Sequence, residues 1–296
     1  MQNNNKEFYE YFYNRKSNSS IKSCAAKWEF FLLKSILKYA KKEGINNILE
    51  VGCGQGNKTA IIADYFKQSK IIGIDPSSAG IRNARENYSN YKNIEFVEYE
   101  LNSFIEKSNI KKFDLVAALE ILEHVEDWES LLEDIIKASN KYILLSFPTG
   151  RMRNYEKYIG HLRNFKRGEV ENFLDLRGFK IVKTFYSGFP FYTPLARDYI
   201  DRNYNNFMKS IEQEFSKSQE IFHHLIYLIF RYFTFKNIGD NFAGLFIKHD
   251  ITIRSKGGVN YNIIIVILYK NYICYSYIYR FLFKFIIFDY QNFIYN

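Results

Sequence analysis

Cysteine is scarce in this chain: Cys24, Cys53 and Cys274 are the only three in 296 residues. They are widely spaced and form no C-x-x-C, which excludes a disulfide framework and a thiolate metal site and suits a reducing cytosol. No run reaches the ~18 uninterrupted apolar residues of a spanning helix, because Arg231, Lys270, Arg280 and Lys284 break the nearest candidates. The first residues, Met-Gln-Asn-Asn-Asn-Lys, are polar and lack the apolar core of a signal peptide. The expected location is cytoplasmic. Charge of one sign is modest as well. A formal +9, spread along a chain rich in Lys, Asn, Ile, Tyr and Phe, gives nucleic acid little support as a partner. A dinucleotide fingerprint is also missing, since G-x-G-x-x-G from Gly52 requires a third glycine where the chain has Asn57.

What is present instead is an apolar run, Ile48-Leu49-Glu50-Val51, followed by Gly52, Gly54 and Gly56 at alternate positions. Glycine tolerates φ > 0 and lets backbone approach a ligand, so a strand ending in such a loop is a cradle. Glu50 would repel a pyrophosphate and suits a ligand bearing an ammonium group.

Further apolar runs follow the same plan. Lys70–Asp75 and Asn93–Tyr99 read as strands ending beside acids, Asp75 and Glu100, and Phe113–Leu119 reads as a strand buried on both faces. Lys141–Phe147, Phe179–Tyr186 and Ala243–Arg254 extend the series. Between them, helical spacing predicts helices over 25–42, from a cap at Asn57, from Pro76, from Asp127 and over 167–177. This alternation implies an α/β fold: a Rossmann-like, doubly wound, mostly parallel sheet with helices on both faces. The organisation expected is an N-terminal arm over 1–24, flexible and able to fold over the ligand, and a main domain over 25–254. Residues 188–241 form an insert in that domain, and an atypical aromatic and aliphatic tail covers 255–296.

Ligands in open α/β sheets sit outside the carboxyl ends of the strands. Asp75 follows the glycines at close to the ~20-residue spacing at which an acid meets a ribose diol, and a carboxylate is a two-point acceptor for two hydroxyls. Glu100 is placed to accept from an adenine amino group. Four segments carry a family resemblance: Leu49-Glu50-Val51-Gly52-Cys53-Gly54, Ile72-Gly73-Ile74-Asp75-Pro76-Ser77, Phe96-Val97-Glu98-Tyr99-Glu100, and Phe113-Asp114-Leu115-Val116 through Leu122-Glu123-His124-Val125. Together they resemble the class I S-adenosylmethionine-dependent methyltransferases, and the L-E-H-V element is similar to the subgroup of ubiquinone-pathway O-methyltransferases. The resemblance implies a seven-stranded sheet whose last strand is antiparallel. It also implies S-adenosyl-L-methionine as co-substrate, with Glu50, Gly52, Gly54 and Gly56 on its methionine side, Asp75 on the ribose, and Glu100 with Leu101 on the adenine. Cys53, Pro76, Leu119 and Glu120 complete the expected donor contacts. Glu100 stands where an aspartate is commoner in the family.

Methyl transfer from a sulfonium is an in-line displacement that asks the protein to align donor and acceptor and, for a hydroxyl, to remove a proton. His161, in the loop after the fifth strand, is the first candidate base, with an ordering role in that loop as the alternative. His124 is the second, with a capping role before the Asp127 helix as its alternative. Adjacent His223 and His224 cannot share a helix face, and no metal is expected. The Asp/Asn-Pro-Pro-aromatic tetrad of base-amino methylation is absent, because Leu119-Glu120-Ile121-Leu122 occupies its place. The expected reaction is O-methylation of a small-molecule, sugar or lipid-linked acceptor under the 188–241 lid. RNA methylation, through the basic residues Arg151 to Arg167, and a non-catalytic S-adenosylmethionine binder are the alternatives. Residues 221–235, apolar nearly all round, and the tail are the candidate points of peripheral membrane contact.

Overall fold

Five apolar runs become five parallel strands, because each is long enough to cross a sheet and too apolar to remain in water. The structure, a computed structural model, describes residues 3–15, 19–108, 112–205 and 214–249. Helices α1 (Asn3–Tyr13), α2 (Ser19–Lys22) and α3 (Cys24–Leu37) lead into β1 (Asn47–Val51), α4 (Asn57–Tyr65), β2 (Lys70–Asp75), α5 (Ser78–Asn87) and β3 (Ile94–Glu98). There follow α6 (Leu101–Lys107), β4 (Phe113–Leu119), a 3-10 turn at Leu122–His124, α7 (Trp128–Ala138) and β5 (Ser139–Pro148). Next come α8 (Asn154–Tyr158), α9 (Glu169–Asp175) and β6 (Phe179–Ser187). A π-turn over Phe191–Ala196, α10 (Arg197–Arg202) and α11 (Lys217–Phe233) precede β7 (Asn241–Lys248).

The seven strands form one sheet in the order β3-β2-β1-β4-β5-β7-β6. β1 to β5 pair in parallel, and β7 runs antiparallel to both β5 and β6. The order reverses between β1 and β4, so the crevice for a ligand opens beyond Val51 and Leu119. Alternation along each strand builds two cores. Leu49, Val51, Val116 and Ala118 face α7 residues Leu132 and Ile135, while Ile48, Leu115 and Ala117 face Ile36 of α3 and Ile62 of α4.

Local chemistry corrects several sequence expectations. Asn57 does not cap α4. Gly56 does, with φ 82°, and the Asn57 side chain instead accepts from the Tyr88 hydroxyl at 2.8 Å. Pro76 does not open α5 either, since it precedes the cap Ser77, whose Oγ accepts from the Gly80 N–H. Asp127 caps α7 by accepting from the Ser130 N–H at 3.0 Å, which leaves His124 without the capping role offered for it. Helix α6 was not foreseen, because seven residues carry too little periodicity. Residues 3–13 are helical rather than a flexible arm. Helix α11 is buried on one side only, not all round. Its wet apolar residues could not be told from core residues by composition. The tail over 255–296 lies outside the described residues.

Leu132 has no exposed surface and sits between α7 and the sheet. Leu132→Ala should cost about 2–5 kcal/mol, the transfer term plus the cavity left behind. A lower denaturant midpoint with an unchanged slope is the expected reading.

Candidate active site

The loop after β1 turns sharply enough that only glycine fits it. Gly52 has φ 72°, and a Cβ there would lie 2.5 Å from Ile121 Cδ1; one on Gly56 would lie 2.7 Å from Phe96 Cζ. Asp75, at the end of β2, holds this loop in place. Its Oδ2 accepts from the Gly54 N–H and its Oδ1 from the Ser77 N–H, each at 2.8 Å. Beneath the loop, Glu50 is buried and accepts from the Thr59 hydroxyl. Burial pushes its carboxyl up to about 7. A cleft of about 210 Å³ opens beside the glycines, lined by Gly52, Pro76, Tyr99, Glu100, Leu101 and Ile121 among others.

A second group of side chains gathers at the end of β4. Glu120 adopts φ 59°, an uncommon backbone for a non-glycine residue. Its carboxyl is pushed up by burial and by the charge of Glu29, while Lys58 draws it the other way. Lys58 itself pairs with Glu29 at 3.1 Å. The 3-10 turn then carries Glu123, which has no exposed surface and no hydrogen-bond partner for either carboxylate oxygen. Burial, and then the Glu120 charge, push its carboxyl well up. His124 Nδ1 donates to the Gly160 carbonyl at 3.0 Å, so its Nε2 accepts from the Tyr9 hydroxyl at 3.0 Å. His161 meets the His124 ring edge-on, with centroids 4.6 Å apart. Burial drives His124 down to about 4, and burial with His124 drives His161 down to about 3, so both rings are neutral. One ligating atom each from Glu123, His124 and His161 lies within 4.8 Å of the other two. An acid and two neutral imidazoles are a donor set for a divalent cation.

Helix α1 joins these two regions. Tyr13 lies over Gly54, with its hydroxyl 2.5 Å from where a Cβ would be. One turn back, Glu10 accepts from the Ser77 hydroxyl at 2.6 Å and the Ala79 N–H at 3.1 Å, at the start of α5. Tyr9, a full turn from Tyr13, reaches His124.

A family model described as a methyltransferase domain matches residues 49–140. A 95-residue stretch is 36% identical to ubiquinone biosynthesis O-methyltransferase of Pasteurella multocida (strain Pm70), covering 29% of this chain and 38% of that protein. A 90-residue stretch is 24% identical to trans-aconitate 2-methyltransferase of Azoarcus sp. (strain BH72), covering 30% and 33%. The chain carries a class I S-adenosylmethionine-dependent methyltransferase domain. It spans about a third of the length of these curated relatives. Among solved structures, the plantazolicin methyltransferase BpumL in complex with SAH aligns with TM-score 0.50 at 17% identity, over 84% of this chain and 91% of that one. The [4+2]-cyclase SpnF aligns with TM-score 0.52 at 14% identity, over 74% and 80%. These likenesses are to the fold alone, which serves more than one chemistry.

Within the methyltransferase domain, the sequence-expected residues separate into layers. Gly52, Pro76, Glu100 and Leu101 share the cleft. Asp75 fastens the loop from behind, and Glu50 and Cys53 lie buried below it. Leu119 and Glu120 line a different, small cavity of about 20 Å³, shared with Glu29 and Lys58. His124 and His161, 37 positions apart by number, are brought into contact. Sequence reasoning missed Tyr9, Glu10 and Tyr13, although the aromatic pairs Phe8/Phe12 and Tyr9/Tyr13 carried a helical spacing. It also missed Glu123, whose burial no local pattern shows.

Glu50 gives a pH test. Its folded pKa, about 7, is raised above the unfolded value, so its favourable contribution is complete below about 4.5 and is lost as pH climbs through 7. The total change is about 3 kcal/mol. Glu50→Gln should abolish that slope, leaving the ligand-free variant more stable than the parent at pH 8 and matched to it near pH 4.5. Parallel melting curves across this range would refute the buried carboxyl.

Proposed function

We propose that the chain transfers a methyl group from S-adenosylmethionine to a hydroxyl of a small-molecule, sugar or lipid-linked acceptor, and that Glu123, His124 and His161 hold a divalent cation beside the reacting atoms. The observation that carries this reading is the fully buried Glu123 carboxyl, held well above its ordinary range by burial and by Glu120, with ligating atoms of His124 and His161 within 4.8 Å. A buried carboxylate is costly, and a cation offsets that cost. On this proposal a cation is held where the sequence led to none being expected, and His161 ligates it rather than abstracting a proton.

The donor half follows from the cleft. Gly52 and its neighbours admit the methionine end, Asp75 stands at the end of β2 on the ribose side, and Glu100 with Leu101 borders the adenine end. Glu50, beneath the loop, adds negative potential for the donor's ammonium and sulfonium charges. Its carboxyl must be ionised to do so, so donor affinity should rise between pH 6 and 8. A bound divalent cation would polarise an acceptor hydroxyl and lower its pKa. The chain's own residues set the rest. Gly160 fixes the His124 ring through Nδ1, and Tyr9 stands at its other nitrogen, so entry of a ligand there requires that hydroxyl to give way.

The alternative of RNA methylation rested on the basic loop, and much of that loop is engaged internally. Arg151 and Arg153 both pair with Asp198, at 2.8 and 2.6 Å, and Arg163 donates to the Glu126 carbonyl at 2.8 Å. The insert reaches the same loop through the buried Arg197–Glu156 pair, and the Glu156 carbonyl accepts from the His161 N–H at 2.9 Å. That arrangement supports an acceptor lid coupled to the His161 loop.

The test uses the full chain with labelled donor, Mn²⁺ and pools of hydroxylated acceptors. His161→Ala should weaken Mn²⁺ binding by about 10–100-fold and depress turnover while calorimetric donor affinity stays within about twofold. Asp75→Ala should do the reverse, weakening the donor several-fold. Donor binding with no label transferred to any pool would favour a binder, and a parent protein that takes up no Mn²⁺ would remove the metal assignment.

A further inference from the structure

Helix α11 presents an apolar side that the described structure does not cover. Its N-cap Ser216 and Gln219 form a capping box, so the helix is well defined at its start. Phe230 turns inward and packs with Trp28 and Tyr192, and Ile226 joins them. Ile221, Phe222, Leu225, Ile229, Tyr232 and Phe233 are exposed, Phe222 at 60% and Phe233 at 65%. Their spacing of i, i+1, i+4, i+8, i+11 and i+12 places them along one stripe of the helix. Phe235 and Ile238, just beyond its end, are exposed too. An exposed stripe of this length is far from the usual scatter of single apolar residues on a soluble surface.

The end of this stripe is strongly cationic. Lys236 is driven down by its own burial and then by the like charges of Lys38, Arg231 and Lys183, which identifies a cluster of four cations. Among the described residues, none of the four is bridged to an acid within 4 Å. Aromatic rings sit among them. Lys236 and Arg231 lie over Phe31, and Lys183 lies over Tyr39 and Phe185. Mixed aromatic and aliphatic side chains next to unbridged cations match the boundary between acyl chains and anionic headgroups. A spanning role is not required, and no described helix is long and apolar enough for one.

We infer that α11 docks this domain onto an anionic bilayer surface, with its exposed stripe in the acyl boundary and the Lys38–Lys183–Arg231–Lys236 cluster on the headgroups. The inner side of the helix reaches the site region: Phe230 packs on Tyr192, which lies within electrostatic range of Glu29 and Glu120. The inference deepens the proposed methyl transfer by narrowing the acceptor to one presented at a membrane. It rests on that proposal for the acceptor alone, because vesicle binding can be read without turnover.

The experiment is cosedimentation of the full chain with vesicles of phosphatidylcholine alone and of phosphatidylcholine with phosphatidylglycerol. The parent should bind the anionic vesicles and release them as salt rises. The double variant Phe222→Ser/Phe233→Ser, at two exposed positions, should keep the parent's melting temperature and lose at least ~10-fold in vesicle affinity. Arg231→Glu/Lys236→Glu should lose affinity several-fold for anionic vesicles only. All three proteins retain residues 251–296, so any lipid affinity of that segment is common to them. Equal partitioning of parent and Phe222→Ser/Phe233→Ser variant, or no binding by the parent, would overturn the inference. So would a lipid-free dimer of the parent that the same double variant abolishes, since the stripe would then be a contact between copies.

Discussion

The clamp made by Asp75 is the interaction on which the rest of the site depends. The glycine loop takes positive φ at Gly52, Gly54 and Gly56; the Gly52 and Cys53 amides donate to the Ile74 carbonyl of β2, and the Gly54 amide turns to a side chain. One carboxylate at the end of β2 accepts from Gly54 on the loop and from Ser77 at the start of α5, so three segments converge on a single buried group. The strand-order reversal between β1 and β4 makes the crevice, and Asp75 sets the position of its floor. The backbone groups it uses would be unsatisfied without it. A residue read from sequence as a ligand contact is therefore also the fastening of the loop that contacts the ligand.

A related constraint governs the other half of the site. Glu50 on β1, Glu120 just past the end of β4 and Glu123 in the 3-10 turn are each held above the ordinary carboxyl range chiefly by desolvation. A chain selected for stability alone would not keep three such acids in one region. Glu50 has Thr59, and Glu120 has Lys58 nearby, while Glu123 meets the like charge of Glu120 and the two imidazoles. The backbone at Glu120 is itself left-handed, so local strain and buried charge fall on one turn. Such concentration of unfavourable terms is expected where a ligand is to be held.

The sheet was legible in the sequence because each strand is an apolar run with an acid or glycine at its end, and β2 and β4 start and stop where those runs do. The cleft residues were legible for the same reason, since Gly52, Pro76 and Glu100 sit at strand ends by position alone. Three kinds of information were not. The cap of α4 passed from Asn57 to Gly56 because a positive φ at the loop's last residue overrides a side-chain preference. The one-sided exposure of α11 was hidden because its apolar residues look alike in sequence whether they meet Trp28 or water. Glu123 was hidden because its neighbours, His124 and His161, come together only through the loop after β5.

Helix α1 shows why tertiary contact, rather than any motif, completes the site. Its tyrosines are about one helical turn apart, about 6 Å along the axis, so one helix face meets both the glycine loop and the His124 ring. Tyr13 lies over Gly54 and Tyr9 bonds His124, while Glu10 between them holds the helix to α5. The same rigid element thus touches the donor cradle and the acid–imidazole cluster. A shift of the whole helix that frees His124 Nε2 from Tyr9 would also move Tyr13 from the loop and break the Glu10 contacts. Donor entry and access to the cluster are in this way mechanically linked through a segment whose sequence, polar and aromatic, gave no sign of a site residue.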